Sequence, residues 1–352
     1  MRIFPGATHT LAHSLCAAGW FFTGLGVLAP GQTFAADSDE QAVTLDSVTV
    51  SATRREEPLQ KIPVAVTVVN GEQLERDGRN SVSSIVQQVP SLNFRTGASN
   101  KDTSLFVRGV GTISTSPGVE PTVATVIDGV VYARPGQTTL DLLDLDRIEV
   151  LRGPQGTLFG KNASAGVMNI ISRAPTTETH GYIEQSNFTG NESRTRFGLG
   201  GSLIPDTLTG SFTALFGTYD GNVDNQYNGQ EVNGYNHKGA RGKLVFTPDD
   251  DLTLTVIADY MQSHDDAPNG VVVQSLTPGF ANALAPVWAS SDNRKINTDT
   301  RSRVADINKG LSAQLDWNLG DYTLSMLTGL PGPSSLWAIL AVRRIVGLPS
   351  TS

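Results

Sequence analysis

Residues 105–111 read LFVRGVG, residues 125–139 read TVIDGVVYARPGQTT, and residues 143–175 read LDLDRIEVLRGPQGTLFGKNASAGVMNIISRAP. Short runs rich in Val and Ile are separated by glycines, and Arg108, Arg147, Arg152 and Arg173 are set among them. β-branched runs of this length favour strands, and the glycines between them mark turns. Strands are therefore expected at 105–107, 122–127, 146–151 and 167–172. The whole stretch reads as a compact, many-times-folded unit and not as an enzyme core.

The same unit extends upstream to Gln60. Residues 62–69 (IPVAVTVV) read as a strand that ends in the Asn70-Gly71 turn. A short helix is expected over 72–77. A second is expected over 81–88, with Ser81 as its cap, Val82, Ile85, Val86 and Val89 on one face, and Pro90 as its stop. Before Gln60, residues 37–59 are polar apart from the island LDSVTVSA at 45–52. A strand-former in a polar leader suits pairing with the sheet edge of another protein; the alternative is the first strand of the compact unit. Residues 1–36 combine Arg2, the apolar run 15–30 and the small residues Ala35 and Ala36, which together read as a secretory signal peptide. A core helix is the alternative, weakened by Gly19, Gly24 and Gly26. Cys16, the single cysteine, lies in this segment, so the mature chain would hold neither a disulfide nor a cysteine metal site.

Downstream of Pro175 the texture changes to a period of two. Leu311, Ala313, Leu315, Trp317 and Leu319 alternate with Ser312, Gln314, Asp316 and Asn318. Leu252, Leu254, Val256, Ala258 and Tyr260 alternate with Thr253, Thr255, Ile257, Asp259 and Met261, and Leu208, Phe212, Ala214 and Phe216 alternate with Thr209, Ser211 and Thr213. A soluble antiparallel sheet gives this alternation as readily as a membrane barrel. Length favours the barrel, because several runs reach about ten residues, the span of a bilayer. The polar stretches 220–235 and 263–308 read as outer loops.

The 352 residues carry a net charge of −8, which disfavours a nucleic-acid partner. Residues 156–162 (GTLFGKN) echo a phosphate loop, but only three residues separate Gly156 from Gly160, and Asn162 replaces the metal-binding hydroxyl. The five histidines, His9, His13, His180, His237 and His264, have no metal-ligand spacing. The acidic positions Asp220, Asp249, Asp250, Asp251, Asp265 and Asp266 read as turn caps. No nucleophile, base and orienter come together, and no catalytic residue is assigned.

VRG, IDGV, DRIEVLRGPQGTLFGKNASAG and NIIS, in this order, closely resemble the plug of TonB-dependent outer-membrane receptors. The resemblance covers residues 45 to about 329. It implies an α+β plug domain followed by antiparallel transmembrane β-barrel strands. Its domains would be a signal peptide at 1–36, a flexible leader at 37–59, the plug at 60–175 and six or seven barrel strands at 176–329. It also implies that Asp46, Ser47, Val48, Thr49 and Val50 are the TonB box, which adds a strand to the TonB energy-transducing protein. Arg108, Glu149 and Arg152 would hold the plug to charged groups on the barrel wall; the alternative is that Glu149 and Arg152 pair with each other. The implied surroundings are outer-membrane lipid and a scarce small ligand, an iron-siderophore above all, with cobalamin, saccharides or aromatic compounds taken by other relatives. Plug apices near 97–103 and 112–120 would face that ligand. No resident cofactor or metal is implied.

A plugged barrel of this kind needs about 22 strands, so the resemblance covers only its beginning. Residues 330–352 (LPGPSSLWAILAVRRIVGLPSTS) break the alternation with Pro331 and Pro333. They are expected to be an out-of-frame tail on a truncated receptor, or alternatively an apolar helix over 335–346. A different class of function is a non-transporting periplasmic binding or signalling module built on the plug.

Overall fold

The structure is a computed structural model that describes residues 49–51, 54, 56–79, 81–97, 103–113, 119–132, 144–300, 302–331 and 337–344. The signal-peptide and leader assignments through residue 48, Asp46, Ser47 and Val48 included, lie outside these residues. So do positions 98–102 and 114–118 of the expected ligand-facing apices.

The first region is built from short strands: β1 (Thr49–Val50), β2 (Glu57–Pro58), β3 (Ala65–Asn70), β4 (Leu92–Arg95), β5 (Ser104–Val107), β6 (Val110–Gly111), β7 (Val123–Ile127), β8 (Val130–Tyr132), β9 (Leu145–Arg152) and β10 (Gly166–Ser172). The main sheet runs β3-β9-β10-β7-β8, with β10 and β7 parallel and the other pairs antiparallel. A second sheet is β4-β5-β6, and β1 pairs with β2. Three helical turns complete the region: α1 (Gly71–Arg76), α2 (Val82–Ile85) and α3 (Gly156–Phe159).

Alternation along the central strands gives this sheet two buried faces. Ile148, Val150, Met168 and Ile170 pack under Leu74, Val82, Ile85 and Val89 from the helical side. Leu151, Ala124, Val126 and Val167 point the other way and are covered by Val50, Ile62 and Phe159. α1 is capped as its sequence suggests, with Asn70 Oδ1 accepting the Glu72 N–H at 2.8 Å. Gly71 is needed at the turn into α1, because a Cβ there would collide with the backbone carbonyl of Leu145. α2 is shorter than expected: Ser81 precedes it, but its hydroxyl bonds Ser83 Oγ at 2.9 Å and not the backbone.

The second region is one antiparallel sheet of long strands: β11 (His180–Phe188), β12 (Glu192–Ile204), β13 (Leu208–Asn225), β14 (Gln230–Phe246) and β15 (Leu252–Asp266), then α4 (Pro278–Ala283), the short β16 (Lys295–Ile296), β17 (Arg303–Leu319), β18 (Tyr322–Pro331) and β19 (Trp337–Arg344). Neighbours in space are neighbours in sequence, except that β16 folds back beside β13. Among the described residues β11 and β19 do not pair, and the sheet is open. Its outward face carries Phe212, Phe216, Leu244, Leu311 and Trp317, all exposed. Its inner face carries Thr213, Arg241, Lys243, Asp259 and Gln314 and packs on the first region.

Two expectations are corrected here. β13 and β14 run through most of 220–235 as strand, leaving only 226–229 as their connection, and the long outer loop is 267–302. Residues 337–344 are a strand and not a helix, in register with β18 from Tyr322↔Arg344 to Gly329↔Trp337. The unpaired edge of β18 offers this segment backbone partners that outweigh its apolar helical content.

Candidate functional site: where the plug meets the strand wall

The candidate site is the junction between the first region and the inner face of the long strands. The Ile-Asp-Gly-Val motif forms the two-residue hairpin between β7 and β8. Asp128 and Gly129 both hold positive φ, 46° and 82°, as a type I′ turn requires. The turn carries Asp128 outward to the wall, and β8 packs against β18. There Asp128 Oδ2 lies 3.5 Å from Arg241 and Oδ1 3.8 Å from Lys243, both on the inner face of β14. The same carboxylate accepts the Ser172 N–H at 2.9 Å and the Ser172 hydroxyl. Lys243 Nζ in turn donates to Ser172 O at 3.2 Å and to Ser172 Oγ at 3.0 Å. Burial, with Asp259 and Asp128 nearby, pushes the phenol of Tyr132 well above its usual range, so it stays protonated.

A second fastening joins α1 to β12. Arg196 is nearly buried and donates to Glu75 Oε1 at 2.9 Å, while Arg173 stands 3.5 Å from Glu75 Oε2. Arg196 also reaches Glu184 at 3.4 Å. Each fastening sets an acid of the first region against a base of the wall, Asp128 against Arg241 and Lys243, and Glu75 against Arg196.

Among the described residues, Arg108, Glu149 and Arg152 make no ion pair with these strands. Glu149 is fully buried inside the first region, and its partners are Ser51, Arg147 and Asn169. Glu149 lies on the sheet face that Val50 and Ser51 cover, and among the described residues it makes no ion pair with the wall. Arg108 is exposed in the turn after β5, at φ 52°, with its N–H on Ser91 O. Arg152 makes no ion pair among the described residues, and its Nε is buried without a hydrogen-bond partner there. The mutual Glu149–Arg152 pair is not formed either. Asp128 and Glu75 were missed; the Asp-Gly pair announced the turn but not its destination.

Further out on the same inner face lies a polar and aromatic cluster. Tyr235 stacks on His237 with centroids 4.3 Å apart and lies 5.6 Å from Tyr219. Its hydroxyl donates to Glu192 at 2.6 Å and accepts from Arg194 Nε at 2.8 Å. His237 Nε2 and Asp265 Oδ1 are 2.7 Å apart.

The family model described as TonB-dependent Receptor Plug Domain matches residues 58–167. This stretch is a TonB-dependent receptor plug. The chain is similar in fold to the ferric yersiniabactin uptake receptor FyuA of Yersinia pestis, with a TM-score of 0.65 and 24% identity over 78% of this chain and 43% of that one. In sequence, the chain is 30% identical to the pesticin receptor of Yersinia enterocolitica over 226 residues, 64% of this chain and 33% of the relative. It is 28% identical to the vitamin B12 transporter BtuB of Vibrio vulnificus over 138 residues, 38% of this chain and 22% of that protein. The chain thus spans about a third or less of the length of the curated relatives it matches.

Of the expected TonB box, only Thr49 and Val50 are described. They form β1 with Glu57 and Pro58, and Val50 is fully buried. These two residues pack with the plug, inside the stretch 37–59 that was expected to be a flexible leader with the plug's first strand as the alternative.

Proposed function

We propose that this chain is the plug and first strands of a TonB-dependent receptor of the outer membrane, which admits a scarce small ligand when the leader is pulled from the periplasm. The observation that carries this reading is the joint between plug and wall. A plug that is a complete packed unit sits against a strand sheet whose outer face is apolar, and its fastenings are charged. A permanent subunit would be expected to use an apolar joint.

Ferric chelates are the favoured ligand class, supported by the kinship with a pesticin receptor and the fold shared with a ferric yersiniabactin uptake receptor. The Tyr219, Tyr235, His237 and Arg194 cluster would face such a ligand, offering aromatic faces and a cation to a polyanionic chelate. TonB is the proposed partner of residues 46–50. The test is expression of the full chain with its leader, followed by fractionation. Recovery in the outer membrane, resistant to carbonate extraction and shifted in mobility on heating, supports the receptor. A folded, soluble periplasmic product would instead favour a non-transporting plug module.

A further inference from the structure

We propose that the Glu149 carboxylate is the latch that holds the leader on the plug, with residues 149–159 as the leader's dock. The contacts at Glu149 converge from three elements. Ser51 N donates to Oε1 at 2.8 Å, and the Ser51 hydroxyl lies 3.3 Å and 3.4 Å from the two oxygens. Asn169 Nδ2 on β10 donates to Oε2 at 3.1 Å and to Ser51 Oγ at 3.1 Å. Arg147 Nε on β9 donates to Oε1 at 2.9 Å. A buried carboxylate is tolerated only while such donors surround it, and Ser51 supplies the leader's share.

Two neighbouring contacts give the dock its length. Val50, fully buried, fills the apolar face beside Leu151 and Phe159. Arg54 Nε donates to Leu158 O at 2.7 Å, and its guanidinium lies 4.9 Å from the Phe159 ring centroid. The dock therefore uses the Glu149–Leu151 stretch and the Gly-Thr-Leu-Phe turn, the stretch that mimics a phosphate loop in sequence. Leader residues before and after Ser51 are seated by packing and by a carbonyl, while Ser51 meets the one buried charge.

Release has a physical route. A cavity of about 500 Å³ is lined by Ser51, Arg54, Arg147 and Asn169 on the plug side and by Lys243 and Gln314 on the wall. Water in that space can take the place of Ser51 once the leader leaves, so unlatching costs a few hydrogen bonds and not an isolated buried charge. One consequence rests on the TonB-box reading. Val50 would have to leave its buried seat before a partner strand could pair along all of 46–50, so latch and partner compete.

The latch itself is tested without TonB or ligand. The full chain in the cell-envelope fraction is digested briefly with trypsin, and cleavage after Arg54 is followed by mass spectrometry. Glu149→Gln is expected to raise that cleavage rate about tenfold, with Arg147 and Arg152 on β9 still protected. Ser51→Pro removes both the leader's N–H and its hydroxyl and is expected to do the same. The double variant should be no faster than the faster single. An unchanged rate at Arg54, additive effects in the double variant, or cleavage that rises equally at Arg54, Arg147 and Arg152 would each overturn the latch.

Discussion

The plug and the strand wall obey the same alternation with opposite results. In the plug sheet both sets of side chains are buried, because helices cover one face and the leader with α3 covers the other. In the wall, the apolar set points outward and stays exposed, while charges and amides turn in against the plug. A strand in water hides its apolar face, whereas a strand in lipid shows it. The comparison teaches that the plug needs no partner for its core and only a few charges for its position.

The largest expected effect comes from reversing one of those charges. Asp128→Lys sets three cations together against β14 and should loosen the β7–β8 hairpin by about 3 kcal/mol, the scale for breaking a largely buried pair. Amide exchange over residues 123–132 would then rise about a hundredfold. Next is the outward face. Leu311→Arg at the centre of β17 should destabilise the membrane-inserted chain by about 2–4 kcal/mol. Ser312→Arg, one residue on and facing the lumen, should cost far less. Equal costs in urea titration would erase the distinction between the two faces.

These contrasts separate what was legible from what was not. The glycine-punctuated strands and the period of two were local patterns, and they led to the plug and the wall. The partners of Glu149 were not legible, because Ser51 and Asn169 reach it from segments far away in the chain. The stretch 220–235 was taken for loop because it is polar. It remains strand because its backbone is paired, β13 with β14 and Asp224 and Asn225 with β16, while Val223, Asn225 and Val232 are buried.

Smaller effects sharpen the picture further. Tyr235→Phe removes the hydroxyl that joins Glu192 and Arg194, at about 1 kcal/mol, while keeping the ring. On the proposed reading, Tyr235→Ala should weaken binding of a ferric chelate more than Tyr235→Phe does, as read by direct titration.

The smallest effect is in acid. Burial raises the Asp144 carboxyl above the ordinary aspartate value, against the pull of Arg173 and Lys243. Its folded form binds the proton more tightly than the unfolded chain does. That contribution to stability is therefore fully present below the ordinary aspartate value and is lost as pH rises through the raised one. Asp144→Asn should flatten the stability profile across that interval and nowhere else.

The claim that charges seat the plug is tested most directly by a double-mutant cycle between Asp128 and Lys243. The readout is hydrogen exchange of β7–β8 in Asp128→Asn, Lys243→Gln and the double variant. The account predicts coupling of about 1 kcal/mol, with the double variant exchanging more slowly than the two single effects added together. Strict additivity would mean that the hairpin is seated by packing on β18 alone, and would contradict it.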